Sequence, residues 1–289
     1  MAGSRCSEVS YRPKWGCRMA AVGFLSSDLN GTLVHSHTMQ EMIRWAFPDE
    51  PGRWEEASRA FGRQTEGSLS MAQAFAVAGA NSKGLPLRAA IMYSMTGVRY
   101  LEGYDSFMGF LNSRRLPLAI ISTGYTVTLY TIRYATRSVP FKFVCNRLLF
   151  ALGGEGEPLG EERLEQLVRD FVLRPELREA SLYEEIKATG EVQLGIGDEA
   201  QKAEFALQLA SEMGIPPKAV AHMGDTMGDS MGILGVARAG GLGIAFNYNR
   251  ALELFLRKEG ALELASGRIR LVDPKGSGAD LNHVIPLLS

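Results

Sequence analysis

The chain has 289 residues, of which 46% are hydrophobic and 22% are charged, and its formal net charge is −1. This length suits one α/β domain with an insertion, and the balanced charge gives no basic face of the kind that binds nucleic acid. No apolar run approaches the ~18 residues that a membrane span needs, so no membrane partner is expected. The three cysteines, Cys6, Cys17 and Cys145, lack metal-ligand spacing, which indicates a reduced cytoplasmic location.

The first 18 residues are rich in arginine, lysine and serine, and they lack the apolar stretch of a secretory signal. We predict that residues 1–18 are a disordered tail, or that they precede the true start at Met19. A basic arm that touches membranes is the alternative. A chain starting at Met19 should therefore fold with nearly unchanged stability.

After this tail the pattern predicts a strand at 20–27 and then about sixty residues of helical signals, broken by Gly, Pro and Asn. These signals fall at 39–47, 53–61, 70–78 and 87–100. Further helices are predicted at 104–114, 126–135, 200–213, 228–235 and 250–258, and strands at 117–122, 141–145, 148–152, 219–223, 242–245 and 269–272. Residues 161–188 are charged and helix-periodic, with Pro175 dividing them.

This alternation predicts an α/β fold with a parallel, doubly wound sheet. The domain division that we predict is a core formed by residues 19–35 and 99–289, with a helical cap at 36–98 inserted after the first strand.

Residues 24–34 (FLSSDLNGTLV) carry the clearest chemical signal. An apolar run stops at Asp28 and turns through Gly31 and Thr32, which predicts a buried strand that ends in a carboxylate. Open α/β sheets build their sites at that edge, and a carboxylate can form an aspartyl-phosphate. Asp28 is therefore a candidate nucleophile, with a helix cap or a turn as the structural alternative.

Two aspartates in a later strand-to-helix loop form a candidate metal site. Asp225 and Asp229 are four residues apart, so both can face one cation. Carboxylate oxygens, together with water and phosphate, are the ligands that Mg²⁺ prefers. We therefore predict Mg²⁺ binding there, with Asp28 completing the set.

Two further stretches could bind phosphate. Ser122 ends a predicted strand, and the backbone N–H groups around Thr123 and Gly124 could hold an anion at a helix N-terminus. Lys202, near the start of an amphipathic run, could screen the charge of Asp28 and phosphate.

Taken in order, these stretches resemble the four motifs of the haloacid dehalogenase (HAD) superfamily: DLNGTLV at 28–34, AIISTGY at 119–125, Lys202, and VAHMGDTMGD at 220–229. Three more are similar to its phosphoserine-phosphatase branch: LEGYD at 101–105, FKFVCNRL at 141–148 and GLGIAFN at 241–247. The resemblance implies a HAD-like core whose cap follows the first strand. It also implies Mg²⁺-dependent hydrolysis of a small phosphomonoester through Asp28, with the Asn30 carbonyl as a further metal ligand.

Asn30 departs from this pattern, because the phosphatases carry a second aspartate there that handles protons. An amide cannot exchange a proton near neutral pH. The chain could be a slow phosphohydrolase, an Asp-to-Asn trap, a form reactivated by deamidation at Asn30-Gly31, or a protein that only binds a phospho-ligand. His35 or His37 could supply the acid. A phosphonate C–P hydrolase with Lys83 as its Schiff-base lysine is a further alternative, whereas the phosphatase-like context argues against dehalogenase chemistry.

The substrate is expected to be a small phosphorylated metabolite. The resemblance implies a cap-side glutamate nine residues after the nucleophile, but His37 stands there, which argues against phosphoserine. Arg63 and Arg88 are candidate anion-binding residues in the cap. The sequence does not decide between a monomer and a homodimer.

Overall fold

A computed structural model describes residues 21–35, 37–66, 68–136 and 142–289. The predicted tail at 1–18 lies outside the described residues, as do Cys6 and Cys17. Cys145 is a free, buried thiol. Within the described ranges, no helix has both the length and the apolar character needed to cross a membrane.

One sheet of seven strands organises the described chain, in the order β4-β3-β2-β1-β5-β6-β7. Its strands are β1 Phe24–Ser27, β2 Leu118–Tyr125, β3 Lys142–Leu152, β4 Ile186–Gln193, β5 Val220–Gly224, β6 Leu242–Tyr248 and β7 Ile269–Pro274. All neighbouring pairs are parallel except β3 and β4. The predicted parallel sheet is therefore confirmed, and β1 lies at its centre.

The helices connect these strands and cover the sheet. They are α1 Thr38–Ala46, α2 Pro51–Thr65, α3 Met71–Ser82, α4 Leu87–Met92, α5 Tyr104–Arg114, α6 Thr126–Thr136, α7 Glu161–Leu173, α8 Leu182–Glu185, α9 Lys202–Glu212, α10 Ser230–Arg238, α11 Arg250–Glu259 and α12 Ala261–Ala265. Side chains of a strand alternate between the two faces of its sheet. Accordingly, Leu25 packs in a cluster with Phe107 of α5 and Leu129 of α6, whereas Phe24 packs with Leu209 of α9. Both faces are covered, as the doubly wound architecture requires.

Three local predictions differ from the structure. The region 161–188 was predicted as helical, but α7 ends at Leu173 and β4 begins at Ile186. Residues 148–152, predicted as a separate strand, continue β3 and pair antiparallel with β4. The first difference arises because β3 has an open edge with which residues 186–193 pair as β4. This strand pairing overrides the weak local propensity of these residues for helix. The predicted helix at 87–100 is α4 followed by a π-helical turn at Tyr93–Gly97.

Helices α1, α2 and α3, which we term the cap helices, fill most of the segment between β1 and β2. Met39 and Met42 of α1 share a hydrophobic cluster with Tyr125 at the end of β2, so the cap helices are anchored to the sheet. At Gly79 of α3 an added Cβ would lie 2.6 Å from the carbonyl oxygen of Gly190 in β4. The absence of a side chain therefore lets α3 lie directly on β4. The exact division into cap and core stays a prediction.

Candidate active site

Asp28 follows β1 directly, and neighbouring strands bring the other predicted residues to the same edge of the sheet. Its backbone N–H donates to the carbonyl of Met223 at 2.9 Å, which continues the pairing of β1 with β5. Lys202 is the first residue of α9. Its Nζ lies 3.0 Å from Oδ1 of Asp28 and 2.6 Å from Oδ1 of Asp229. All three side chains are buried.

Asp28, Asp225 and Asp229 form one acidic cluster, in which one oxygen of each carboxylate lies within 4.8 Å of the others. Burial raises the pKa of Asp28 to about 6, with Lys202 opposing and Asp229 adding to this shift. Burial, Asp229 and Asp28 likewise raise the pKa of Asp225 well above its ordinary value. One lysine, Lys202, lies beside three buried carboxylates. A site of hard oxygen donors with excess negative charge fits Mg²⁺.

The turn between β5 and α10 fixes the orientation of Asp229. Its Oδ2 accepts hydrogen bonds from the backbone N–H groups of Asp225 at 3.1 Å and Thr226 at 3.3 Å. Its Oδ1 contacts Lys202. The Thr32 hydroxyl donates to Oδ1 of Asp225 at 3.2 Å. Hydrogen bonds therefore hold both the loop after β1, which carries Thr32, and the turn between β5 and α10.

Gly31 permits the first loop to lie against this cluster. Its φ is +80°, and a Cβ there would lie 2.1 Å from Oδ2 of Asp225. Asn247, at the end of β6, donates from Nδ2 to the Gly31 carbonyl at 2.7 Å. Asn247 ends the phosphatase-like stretch at 241–247, but no pattern in the sequence pointed to this contact.

A Gly31→Ala variant should lose both folding stability and metal affinity. Gly84→Ala is the matched control, because Gly84 has a φ of +82° and nothing within 4 Å of an added Cβ. The control carries only the ~1–2 kcal/mol of left-handed strain, whereas Gly31→Ala adds the collision with Asp225. Urea unfolding with and without Mg²⁺ measures both effects. Equal losses in the two variants would contradict the packing that we describe.

A hydrogen bond fixes the orientation of the Asn30 side chain. Its Oδ1 accepts the backbone N–H of Thr38 at 2.9 Å, at the first residue of α1. Because an N–H can only donate, the atom facing it is the amide oxygen. Nδ2 is then a donor, and an added Cβ on Gly124 would lie 3.6 Å from it.

Ser122 lies within β2, which continues to Tyr125, so the prediction that the strand ends at Ser122 was three residues short. Its hydroxyl accepts the Gly124 N–H at 3.2 Å, and a hydrogen bond from Ser122 lowers the pKa of Asp28. Ser122 therefore contacts the candidate nucleophile.

Asn146, a buried residue of β3 that sequence analysis did not single out, secures this strand end. Its Nδ2 donates to the carbonyl of Thr123 at 3.1 Å, and its Oδ1 accepts the N–H groups of Gly195 at 3.0 Å and Ile196 at 3.3 Å. It thereby joins the end of β2 to the segment that leads to α9. The phosphatase-like stretch at 141–148 was the available signal.

A cavity of about 540 Å³ lies next to these residues, and side chains of the cap helices line its opposite side. Asp28, Asn30, Thr123, Lys202 and Asp229 line its floor. This size is within the range of small-molecule sites.

His37 lies at the rim of the cavity. Desolvation and the positive charge of Lys275 lower its pKa, so its ring is neutral at neutral pH. His35 instead lines a separate cleft with Trp45 and Arg99. Of these two histidines, therefore, only His37 lines the cavity in which a ligand would contact Asp28.

The cationic cap residues that the sequence suggested lie elsewhere. Arg88 forms ion pairs with Glu179 and Glu184, both at 2.9 Å, which is a correction to its candidate role. Arg63 is exposed on α2, and Lys83 is exposed just beyond α3. Neither is among the described residues that line the cavity.

No family model matches the chain, and no curated protein matches it by sequence. Its fold is similar to that of solved phosphoserine phosphatases and of a HAD family hydrolase from Salmonella enterica. Two solved structures of phosphoserine phosphatase, one a substrate-bound complex and one a phospho-aspartyl intermediate analogue, each have a TM-score of 0.64 and 18% identity. Each likeness covers 93% of this chain and 100% of the other. An unliganded, probable phosphoserine phosphatase from Vibrio cholerae has a TM-score of 0.60 and 18% identity, covering 92% of this chain and 64% of the other.

Proposed function

We propose that the protein is a Mg²⁺-dependent phosphohydrolase that acts on a small phosphomonoester through an aspartyl-phosphate at Asp28. The observation that carries the proposal is the contact of the buried Asp28 carboxylate with Lys202 at 3.0 Å, inside the acidic cluster and at the floor of the cavity. The similarity in fold to a phosphoserine phosphatase solved as a phospho-aspartyl intermediate analogue supports it.

In this proposal Asp28 attacks phosphorus, and the bond from phosphorus to the alcohol oxygen breaks with its electron pair on that oxygen. Water then attacks the aspartyl-phosphate, which releases phosphate and regenerates the carboxylate. Lys202 stabilises the negative charge near Asp28. Ser122 and the backbone around Thr123 and Gly124 bind phosphate oxygens. Asp28, Asp225, Asp229 and the Asn30 carbonyl would hold Mg²⁺, which neutralises phosphate charge when bound.

The amide of Asn30 makes both steps slow. Its Nδ2 can donate a hydrogen bond to the leaving oxygen, but it cannot transfer a proton to it or accept one from water. A leaving group with a low pKa needs little protonation, so phosphorylation of Asp28 is the less affected step. Neutral His37, which lines the cavity, is the candidate base for hydrolysis.

The second candidate is a trapped or catalytically impaired protein that binds a phospho-ligand. The bond from the Thr38 N–H to Asn30 favours it, because this bond fixes an amide donor towards the cavity. Turnover of an aryl phosphate separates the two candidates. The exposure of Lys83 outside the cavity removes support for a phosphonate C–P hydrolase.

An Asp225→Asn variant should bind Mg²⁺ at least ~10-fold more weakly, because one of the few charged ligands is lost. Titration calorimetry with Mg²⁺ measures the affinity, and phosphate release from an aryl phosphate should require Mg²⁺ and fall in parallel. Asp49→Asn, at an exposed residue that does not line the cavity, is the control for the change in charge. Unchanged Mg²⁺ affinity in Asp225→Asn would contradict the metal site.

A further inference from the structure

The cavity has two chemically different halves. Its floor carries Asp28, Asp229 and Lys202, which are charged or titratable. The cap helices contribute only uncharged side chains among the described residues that line it. The two undescribed residues of this region, Ser36 and Gly67, are also uncharged. The part of a ligand that extends away from the phosphate therefore meets neutral surface.

The apolar part of this surface is a wall built around two packed aromatic rings. The ring centroids of Phe61 and Phe75 are 5.1 Å apart with an interplanar angle of 73°, and those of Phe75 and Tyr125 are 6.4 Å apart. Phe75 is only 3% exposed, so its ring is held by its surroundings. Met39 and Met71 extend the wall, and thioether side chains adapt to different apolar shapes.

The polar part of the cap surface offers hydrogen bonds but no charge. Gln40, Ser58 and Gln64 line the cavity, and amides and hydroxyls can bind a neutral hydroxyl or carbonyl group. Arg53, a cap arginine, is paired with Glu50 at 2.7 Å, and Arg88 is held by Glu179 and Glu184.

An amino-acid phosphate carries an ammonium and a carboxylate besides its phosphate. Desolvating those charges without partners is unfavourable, whereas an aromatic or alkyl group gains from leaving water at this wall. We propose that the substrate is the phosphate monoester of an uncharged alcohol with an apolar or aromatic part. This inference rests on the proposed function, because it takes the phosphate to bind at Asp28.

Calorimetric binding in the presence of Mg²⁺ tests the inference with 2-phenylethyl phosphate, O-phosphoserine, phosphoethanolamine and orthophosphate. The three esters share an unactivated alkyl leaving group, so affinity reports the non-phosphate part. We expect 2-phenylethyl phosphate to bind at least ~10-fold tighter than orthophosphate, and O-phosphoserine to bind no tighter than orthophosphate. O-Phosphoserine binding as tightly as 2-phenylethyl phosphate would overturn the substrate class alone. If none of the four phosphate compounds binds, both the substrate class and the proposed function are contradicted.

A charge placed on the cap surface should change this selectivity. In Gln64→Glu, the affinity of phosphoethanolamine relative to 2-phenylethyl phosphate should rise by ~5-fold or more, because the new carboxylate attracts the ammonium. Gln73→Glu is the matched control, since Gln73 is exposed outside the cavity and its capping bond to the Ser70 N–H can also be made by glutamate. Equal melting temperatures verify folding, and an unchanged affinity ratio in Gln64→Glu would overturn the inference.

Discussion

Replacing Asn30 by aspartate should raise the turnover of a phosphomonoester by ~10²-fold or more. Aspartate can keep the acceptor bond to the Thr38 N–H with one oxygen and present the other to the cavity, where it can carry a proton. The gain should be larger for alkyl than for aryl phosphates, because a poor leaving group needs more protonation. Steady-state phosphate release from both classes measures it.

Asn249→Asp is the matched control for this change. Asn249 lines the same cavity, and its Oδ1 caps α11 by accepting the Leu252 N–H at 2.9 Å, a role that aspartate also performs. We expect no comparable gain in the control. If Asn30→Asp is no faster than the starting protein, another group handles the proton, and His37 is then the next residue to replace.

Replacing Asp28 by asparagine should lower turnover by at least ~10⁴-fold, because an amide is not a nucleophile. The conservative control is Asp198→Asn, since Asp198 is exposed and accepts the Ala200 N–H at 2.8 Å, a bond that asparagine retains. Near-normal turnover in Asp28→Asn would contradict the role of Asp28.

Metal-free Asp28→Asn should also be no less stable than the starting protein at neutral pH. The pKa of Asp28 is raised to about 6 from an ordinary value of 3.8, so between these values the folded state binds more protons than the unfolded state. The contribution of this group to stability therefore falls as the pH rises through that window. An asparagine at position 28 is neutral at every pH in this window, so the variant does not lose this stability as the pH rises. Thermal melts of both proteins without Mg²⁺ compare their stabilities. A strongly lowered melting temperature would indicate that the variant loses activity through unfolding.

The sequence predicted which residues lie together at this edge of the sheet, because strand ends are marked by abrupt changes in residue character. Asp28, Ser122 and Asp225 each follow an apolar run, and parallel strands bring their ends to one edge. Lys202 was less predictable from local pattern, since a lysine on an amphipathic helix is ordinarily solvated. Its position in the motif order was the informative signal, and in the structure it is buried against two carboxylates.

Two parts of the molecule could not be predicted in this way. Strand β4 has few strongly β-forming residues and depends on pairing with β3, a contact distant in sequence for which local periodicity gives no sign. On the cap helices, periodicity identifies the apolar face but does not tell which residues face the core and which line a cavity. Arg88 was therefore proposed for ligand binding, whereas Phe61 and Gln64 were not.

The most direct test of the proposed mechanism is mass spectrometry of the protein quenched in acid shortly after mixing with an aryl phosphate and Mg²⁺. We predict one phosphoryl adduct on the peptide that contains Asp28, because hydrolysis without an efficient base lags behind phosphorylation. The adduct should be absent in Asp28→Asn and less abundant in Asn30→Asp. Rapid phosphate release with no adduct on this peptide, or an adduct on another residue, would contradict an aspartyl-phosphate at Asp28.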